Sequence, residues 1–262
     1  VEVFNGMPNK EEFALLIDRN TPFLLRGGAK DWRIRELWKK HNFLAKYGDR
    51  KATTTYIPYG QLFDITNPDV TVEMTVREYV DGWGGDDERR ETLNAPRYFF
   101  STEFAMTNPD LMEDLSDLTE LLDGYEFLGR QFFLGPSHSG APVHWHNTAL
   151  NVLAYGRKRW ILVEPNKTFY SVKPAKQLLK DDVLNLARNH SMKQCIQNAG
   201  DIMFVGDSWG TYRKLRGRVG ENECQCPINL SLMTLTQSCV CFVVRPCHSQ
   251  RRTEHWFCYG VR

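Results

Sequence analysis

Near the start of the chain apolar residues recur three and four apart, with Phe13, Leu16 and Ile17 following Asn9 and Glu12. Asn-x-x-Glu is the pattern in which each side chain satisfies the other's backbone N–H at a helix start, so a first helix is predicted here, ending near Asn20. The run Phe23-Leu24-Leu25, closed by Gly27 and Gly28, predicts a short buried strand. Thr75 and Glu78 repeat the capping pattern and open a short helix through Tyr79 and Trp83, after which Gly82, Gly84, Gly85, Asp86 and Asp87 read as a solvated acidic loop. From Gln131 onward the period changes to that of strands. Short apolar runs at 131–134, 143–146, 151–155, 159–163 and 202–205 are separated by Gly or Pro, and 174–189 reads as a helical insertion among them. Helices first and strands second predict an α+β chain whose second half closes a small barrel.

A chain of 262 residues with 42% hydrophobic content buries one ordinary core. Thirty-three basic side chains against thirty-two acidic ones leave a net charge of +1, so no global field recruits nucleic acid or an anionic membrane surface. The longest apolar stretches, such as 240–244, fall far short of the ~20 residues that span a bilayer. No membrane span is expected. The chain opens at Val1 with Glu2, Glu11 and Glu12 nearby, a poor signal-peptide start, and is read as processed or as a fragment. A soluble intracellular protein of cytoplasm or nucleus is the expectation, with the lumen of the endoplasmic reticulum as the alternative.

The segment 140–165 carries most of the chemistry. On a strand, residues two apart share a face, so His144 and His146 would converge on one point while Trp145 turns away. Paired imidazoles suit iron, zinc or copper, and two histidines on a polar strand face are the plain alternative. Tyr155-Gly156-Arg157 reads as the turn of a β-hairpin, and on the returning strand Lys158 shares a face with Trp160 and Leu162. A lysine there must snorkel to water or meet an anion, because burying a lone ammonium costs several kcal/mol.

Pro142-Val-His144-Trp-His146, followed by Gly156-Arg-Lys158-Arg-Trp160 and Pro165, resembles the core of a JmjC (jumonji C) domain of the cupin superfamily. The resemblance extends upstream to 22–32 and 75–80 and downstream to 199–210, and so covers about residues 20–210. It implies a double-stranded β-helix, the cupin or jelly-roll barrel, with N-terminal helices and a helical insertion. It also implies an oxygenase dependent on Fe(II) and 2-oxoglutarate, acting on a protein as hydroxylase or demethylase. By that resemblance His144 and His146 are metal ligands and Lys158 pairs with the distal carboxylate of 2-oxoglutarate. Three positions depart from the family pattern. Residue 146 is more often Asp or Glu, Ala141 stands where a Thr often assists the co-substrate, and Thr211 replaces the distal histidine ligand. Impaired turnover is therefore expected. The alternative is an inactive cupin that serves as a binding or scaffold protein; a third reading is a non-oxygenase cupin with three imidazole ligands.

The resemblance implies an N-terminal helical and strand part of the JmjC fold over 1–125 and a cupin core over 126–210, and composition sets off a Cys- and Arg-rich tail over 211–262. Six of the seven cysteines and seven arginines against one lysine lie in that tail, which reads as divergent and foreign to the fold, the product of a retained intron or a wrong gene model. As a natural segment it would place a strand at 228–236, paired with 239–244. Cys224, Cys226, Cys239, Cys241, Cys247 and Cys258 lack the spacing of a standard zinc site, and Arg245, Arg251 and Arg252 read as solvated charges rather than a nucleic-acid patch.

Overall fold

The computed structural model describes residues 1–55, 71–82, 96–115, 125–137, 139–145, 147–169, 171, 192–215 and 238–246; within these, the side chains of 112, 126–129, 211–215 and 238–246 are outside the description. The chain runs β1 (Glu2–Asn5), α1 (Lys10–Asp18), β2 (Phe23–Arg26), α2 (Ile34–Leu37), α3 (Lys40–Tyr47), β3 (Lys51–Thr55), β4 (Val72–Thr75) and α4 (Val76–Asp81). It continues through β5 (Tyr98–Ser101), α5 (Thr102–Thr107), α6 (Pro109–Glu113), β6 (Tyr125–Leu134), β7 (Ala149–Leu153) and β8 (Arg157–Val163). After a single 3-10 turn at Pro165–Lys167 come β9 (Lys193–Asn198), β10 (Ile202–Val205), β11 (Gly210–Leu215) and β12 (Ser238–Pro246).

Both capping patterns close as read from the sequence. The Asn9 side chain accepts from Glu12 N at 2.9 Å, and the Glu12 carboxylate accepts from Asn9 N at 3.2 Å. Thr75 and Glu78 do the same for α4, which ends at Asp81; Trp83 lies outside the described residues. Helix α1 stops where Asn20 takes a positive φ of 49°. Its side chain accepts from Asp207 N and its carbonyl from the Trp209 indole N–H, which fixes the approach to β11.

Among the described residues two sheets form, one ordered β1-β2-β10-β7-β12-β6-β5-β3-β4 and one ordered β11-β8-β9. All pairings are antiparallel except β1 with β2. The large sheet is apolar on both faces, and strand alternation sorts its residues cleanly. Phe23, Leu25, Phe132, Leu150, Val152, Ile202 and Phe204 pack with Phe13, Trp38, Phe43 and Tyr47 of the helices in one core. The alternate positions Leu24, Met203 and Val205 pack instead against Trp160 and Leu162 of the small sheet. Helices cover one face and the small sheet covers the other, an arrangement of antiparallel sheets consistent with a jelly roll.

Three sequence readings are corrected. Tyr155-Gly156-Arg157 does not close a hairpin: β7 pairs with β10 and β12, whereas β8 pairs with β9 and β11. Gly156, at φ 84°, instead carries the chain from one sheet across to the other. Residues 143–145 form no strand; only an isolated bridge at His144 is present. β12 pairs with β6 and β7, not with 228–236, which lie outside the described residues. β11 beyond Gly210, and all of β12, come from the Cys- and Arg-rich tail. The insertion at 174–189, the loop residues 84–87 and Cys224, Cys226, Cys247 and Cys258 also lie outside the described residues. No described helix is long and apolar enough to cross a membrane.

Candidate functional site

Lys158 is fully buried on β8, with Trp160 and Leu162 on the same face, as its spacing requires. Its ammonium lies 4.9 Å from the centroid of the Phe133 ring on β6 and 5.0 Å from that of Trp160, so it sits between the two sheets. Cation–ring attraction strengthens in a desolvated site. The Trp160 ring is held in turn. Its indole N–H donates to Gln197 Oε1 at 2.8 Å, and Gln197 Nε2 donates across the gap to the carbonyls of Asn151 at 2.8 Å and Asp201 at 3.0 Å. Asp201 anchors that corner by accepting from Arg26, Gly27 N and Asn198 N.

Asn151 occupies β7 between Leu150 and Val152, both of which belong to the helix-side core, so alternation turns its side chain toward the small sheet. It is 1% exposed, and neither its Nδ2 nor its Oδ1 has a hydrogen-bond partner among the described residues. Leaving a buried amide unsatisfied costs about 1–3 kcal/mol, so a polar ligand is the natural complement of this position. Sequence reading passed over Asn151. The available signal was a lone amide in an otherwise apolar strand.

His144 is 2% exposed, and its Nδ1 lies 2.8 Å from the Pro142 carbonyl oxygen. A carbonyl only accepts, so Nδ1 donates to it, and Nε2 is the ring nitrogen that a metal would use. Trp145 beside it is 38% exposed. His146, expected to pair with His144, lies outside the described residues. Ala141 is fully buried, and the backbone of Thr211 stands opposite Leu162 at the start of β11. Cys195 on β9 touches Met203, Sγ to Sδ 3.8 Å, and burial pushes its thiol up to about 12.

A buried ammonium and an amide without a partner among the described residues, both on the side of the large sheet turned to the small one, are suited to a carboxylate-bearing molecule. Iron is a different matter. Among the described residues no three His, Cys, Asp or Glu side chains come together as a metal-binding group. The described donors thus fit the dicarboxylate and supply one imidazole, His144, toward a metal.

Packed antiparallel sheets with a polar site buried between them are the architecture of a cupin, and the sequence agrees: residues 8–209 match the cupin-like domain family, to which the chain belongs. Within it the chain is similar to JmjC domain-containing protein 8. It is 26% identical to the mouse protein and 27% identical to the human one over 197 residues, covering 72% of this chain and 68% and 69% of those proteins. It is also 25% identical over 219 residues to the bifunctional arginine demethylase and lysyl-hydroxylase psr-1 of Caenorhabditis briggsae, covering 72% of this chain and 51% of that protein.

Proposed function

We propose that the chain is a JmjC-type protein of the Fe(II)- and 2-oxoglutarate-dependent oxygenase class, of hydroxylase or demethylase ancestry, in which co-substrate binding persists and turnover is impaired. The observation that carries this reading is the fully buried Lys158 ammonium between the two sheets, with a buried Asn151 amide that has no partner among the described residues on the neighbouring sheet. Lys158 would hold one carboxylate of 2-oxoglutarate, and Asn151 would donate to or accept from its polar atoms. The strand order β10-β7-β12-β6 facing β11-β8-β9 supports a double-stranded β-helix that runs from β6 to β12. The activities named for relatives such as the bifunctional arginine demethylase and lysyl-hydroxylase of Caenorhabditis briggsae favour a protein substrate.

His144 and His146 are the imidazoles proposed for Fe(II), and Thr211 leaves the third position without a ligand. Two neutral imidazoles hold a divalent ion weakly, and the missing carboxylate at 146 removes a compensating charge. The second reading, a cupin that binds without turnover, is favoured by the same Thr211. Two measurements separate them. Calorimetry with 2-oxoglutarate should show binding, while succinate release under Fe(II) and ascorbate should stay near background. Thr211→His combined with His146→Asp should raise succinate release well above the parent. Robust succinate release by the unmodified chain, abolished by His144→Ala, would overturn the impairment. No 2-oxoglutarate binding at all would overturn the co-substrate role.

A further inference from the structure

Asparagine followed two residues on by Ser or Thr, with no Pro between, is the pattern that accepts an N-linked glycan. The chain carries it at Asn166-Lys167-Thr168, Asn189-His190-Ser191 and Asn229-Leu230-Ser231. The last two lie outside the described residues. The first falls on the 3-10 turn Pro165–Lys167, by which the chain leaves β8. So short a pattern also arises by chance, and its surroundings decide whether it is used.

Two observations favour this one. Asn166 is exposed, and its turn is held by the neighbouring residues rather than by its own side chain. Pro165 opens the turn, Lys167 N donates to Glu164 O at 2.9 Å, and the Lys167 ammonium pairs with the Glu164 carboxylate at 3.5 Å. A bulky group on the Asn166 amide displaces none of these contacts. The second observation is Thr168. Its hydroxyl is buried against Gly210 and has no hydrogen-bond partner among the described residues. A buried hydroxyl without a partner opposes folding, and Val would fill nearly the same space without that cost. The described fold therefore makes no use of the atom that distinguishes Asn-Lys-Thr from Asn-Lys-Val. That hydroxyl is needed earlier, on the unfolded chain, where the acceptor pattern requires Ser or Thr at this position.

We propose that Asn166 is a site of N-linked glycosylation and that the chain folds in the lumen of the secretory pathway, where the sugar donor is present. The donor is an oligosaccharide joined to a lipid diphosphate. Asn166 Nδ2 forms a bond to the anomeric carbon of the first sugar, and the bond from that carbon to the diphosphate oxygen breaks. The lipid diphosphate leaves with the electron pair, and the amide nitrogen gives up one proton. No oxidant or reductant is involved. On folding, Thr168 is enclosed against Gly210 while the glycan stays on the solvent side of the turn. The inference is independent of the oxygenase reading, and it selects the luminal compartment over cytoplasm or nucleus.

The test is peptide mass spectrometry on the full chain, expressed from its complete natural transcript in cultured eukaryotic cells. Samples are compared before and after the amidase that removes N-glycans and leaves aspartate where each one stood. Conversion at position 166 should be found in the parent and in Thr168→Ser, and lost in Thr168→Val. Asn166→Gln should remove one step from the gel-mobility shift that the amidase causes. An unmodified Asn166 in the parent overturns the proposal. Conversion that persists in Thr168→Val, or that is lost equally in Thr168→Ser, overturns the role given to the Thr168 hydroxyl.

Discussion

Replacing Lys158 with Met separates a ligand-binding role from a structural one, because Met keeps most of the apolar stem and removes only the charge. In the folded protein the ammonium gains from two rings, at 4.9 and 5.0 Å, each contributing ~0.5–2 kcal/mol. Against that stands a desolvation penalty of several kcal/mol for a fully buried cation. If the charge serves a ligand rather than the core, the change in folding stability should stay within about 2 kcal/mol, or roughly 4–8 °C in Tm for a domain of this size. Binding behaves differently. A carboxylate ligand facing a buried site without its cation loses about 2 kcal/mol or more, which weakens its Kd by about 30-fold or more. Titration calorimetry with 2-oxoglutarate measures the second quantity, and a thermal scan of the ligand-free protein measures the first. An unchanged Kd together with a Tm lowered by more than about 10 °C would show that Lys158 is part of the core's architecture and holds no ligand.

Asn151→Leu should raise Tm by several degrees, because it removes a buried amide that has no partner among the described residues, a cost of about 1–3 kcal/mol, while weakening 2-oxoglutarate binding; a lower Tm would show that the amide is satisfied in the folded protein. Asp114→Ala should destabilise by about 3–5 kcal/mol, because it strips the acceptor from the Trp38 indole N–H, the Tyr47 hydroxyl and the Lys46 ammonium; urea unfolding within 1 kcal/mol of the parent would refute that hub. For Cys195, burial holds the folded thiol neutral up to about 12, whereas the unfolded thiol ionises near ~8.5. Its stabilising contribution is therefore full below the unfolded value and declines as pH rises from there toward the folded one, by up to ~1.4 kcal/mol per pH unit. Urea unfolding of the parent should lose stability more steeply above pH ~9 than Cys195→Ala does, and equal slopes would contradict the burial argument.

What the sequence discloses depends on how far apart the interacting residues lie. The capping pairs Asn9/Glu12 and Thr75/Glu78 are local, three residues apart, and both form as read. The shared face of Lys158, Trp160 and Leu162 is equally local, because a strand's period fixes it. Partner choice is not local. Tyr155-Gly156-Arg157 has the composition of a hairpin turn, and only distant strands decide that β7 and β8 enter different sheets. Gln197 is likewise invisible in advance, since its importance comes from reaching the Asn151 carbonyl 46 residues away. Arginine and cysteine usage distracts from β12, whose alternation of Cys239, Val240, Cys241 and Phe242 is that of a strand with two distinct faces.

The proposed loss of turnover includes a ligand position, 211, whose backbone the fold still fixes. A Cβ at Gly210 would fall 2.0 Å from Thr168 Oγ1 and 3.2 Å from Val163 Cβ, so the chain passes this point only because glycine occupies it. Just before it, the Trp209 indole N–H donates to Asn20 O at 2.8 Å, and just after it Thr211 pairs in register with Leu162. None of these constraints involves the side chain at 211. A histidine placed there would be delivered by the same β11 backbone to the same register position beside β8. This is why a gain of turnover is expected from Thr211→His with His146→Asp without rebuilding the barrel. The carboxylate side of the site depends on other elements, β7, β8 and β9, tied together by Gln197. In the proposed reading, ligand binding and metal binding would thus rest on separate parts of the fold, and one could persist after the other had been lost.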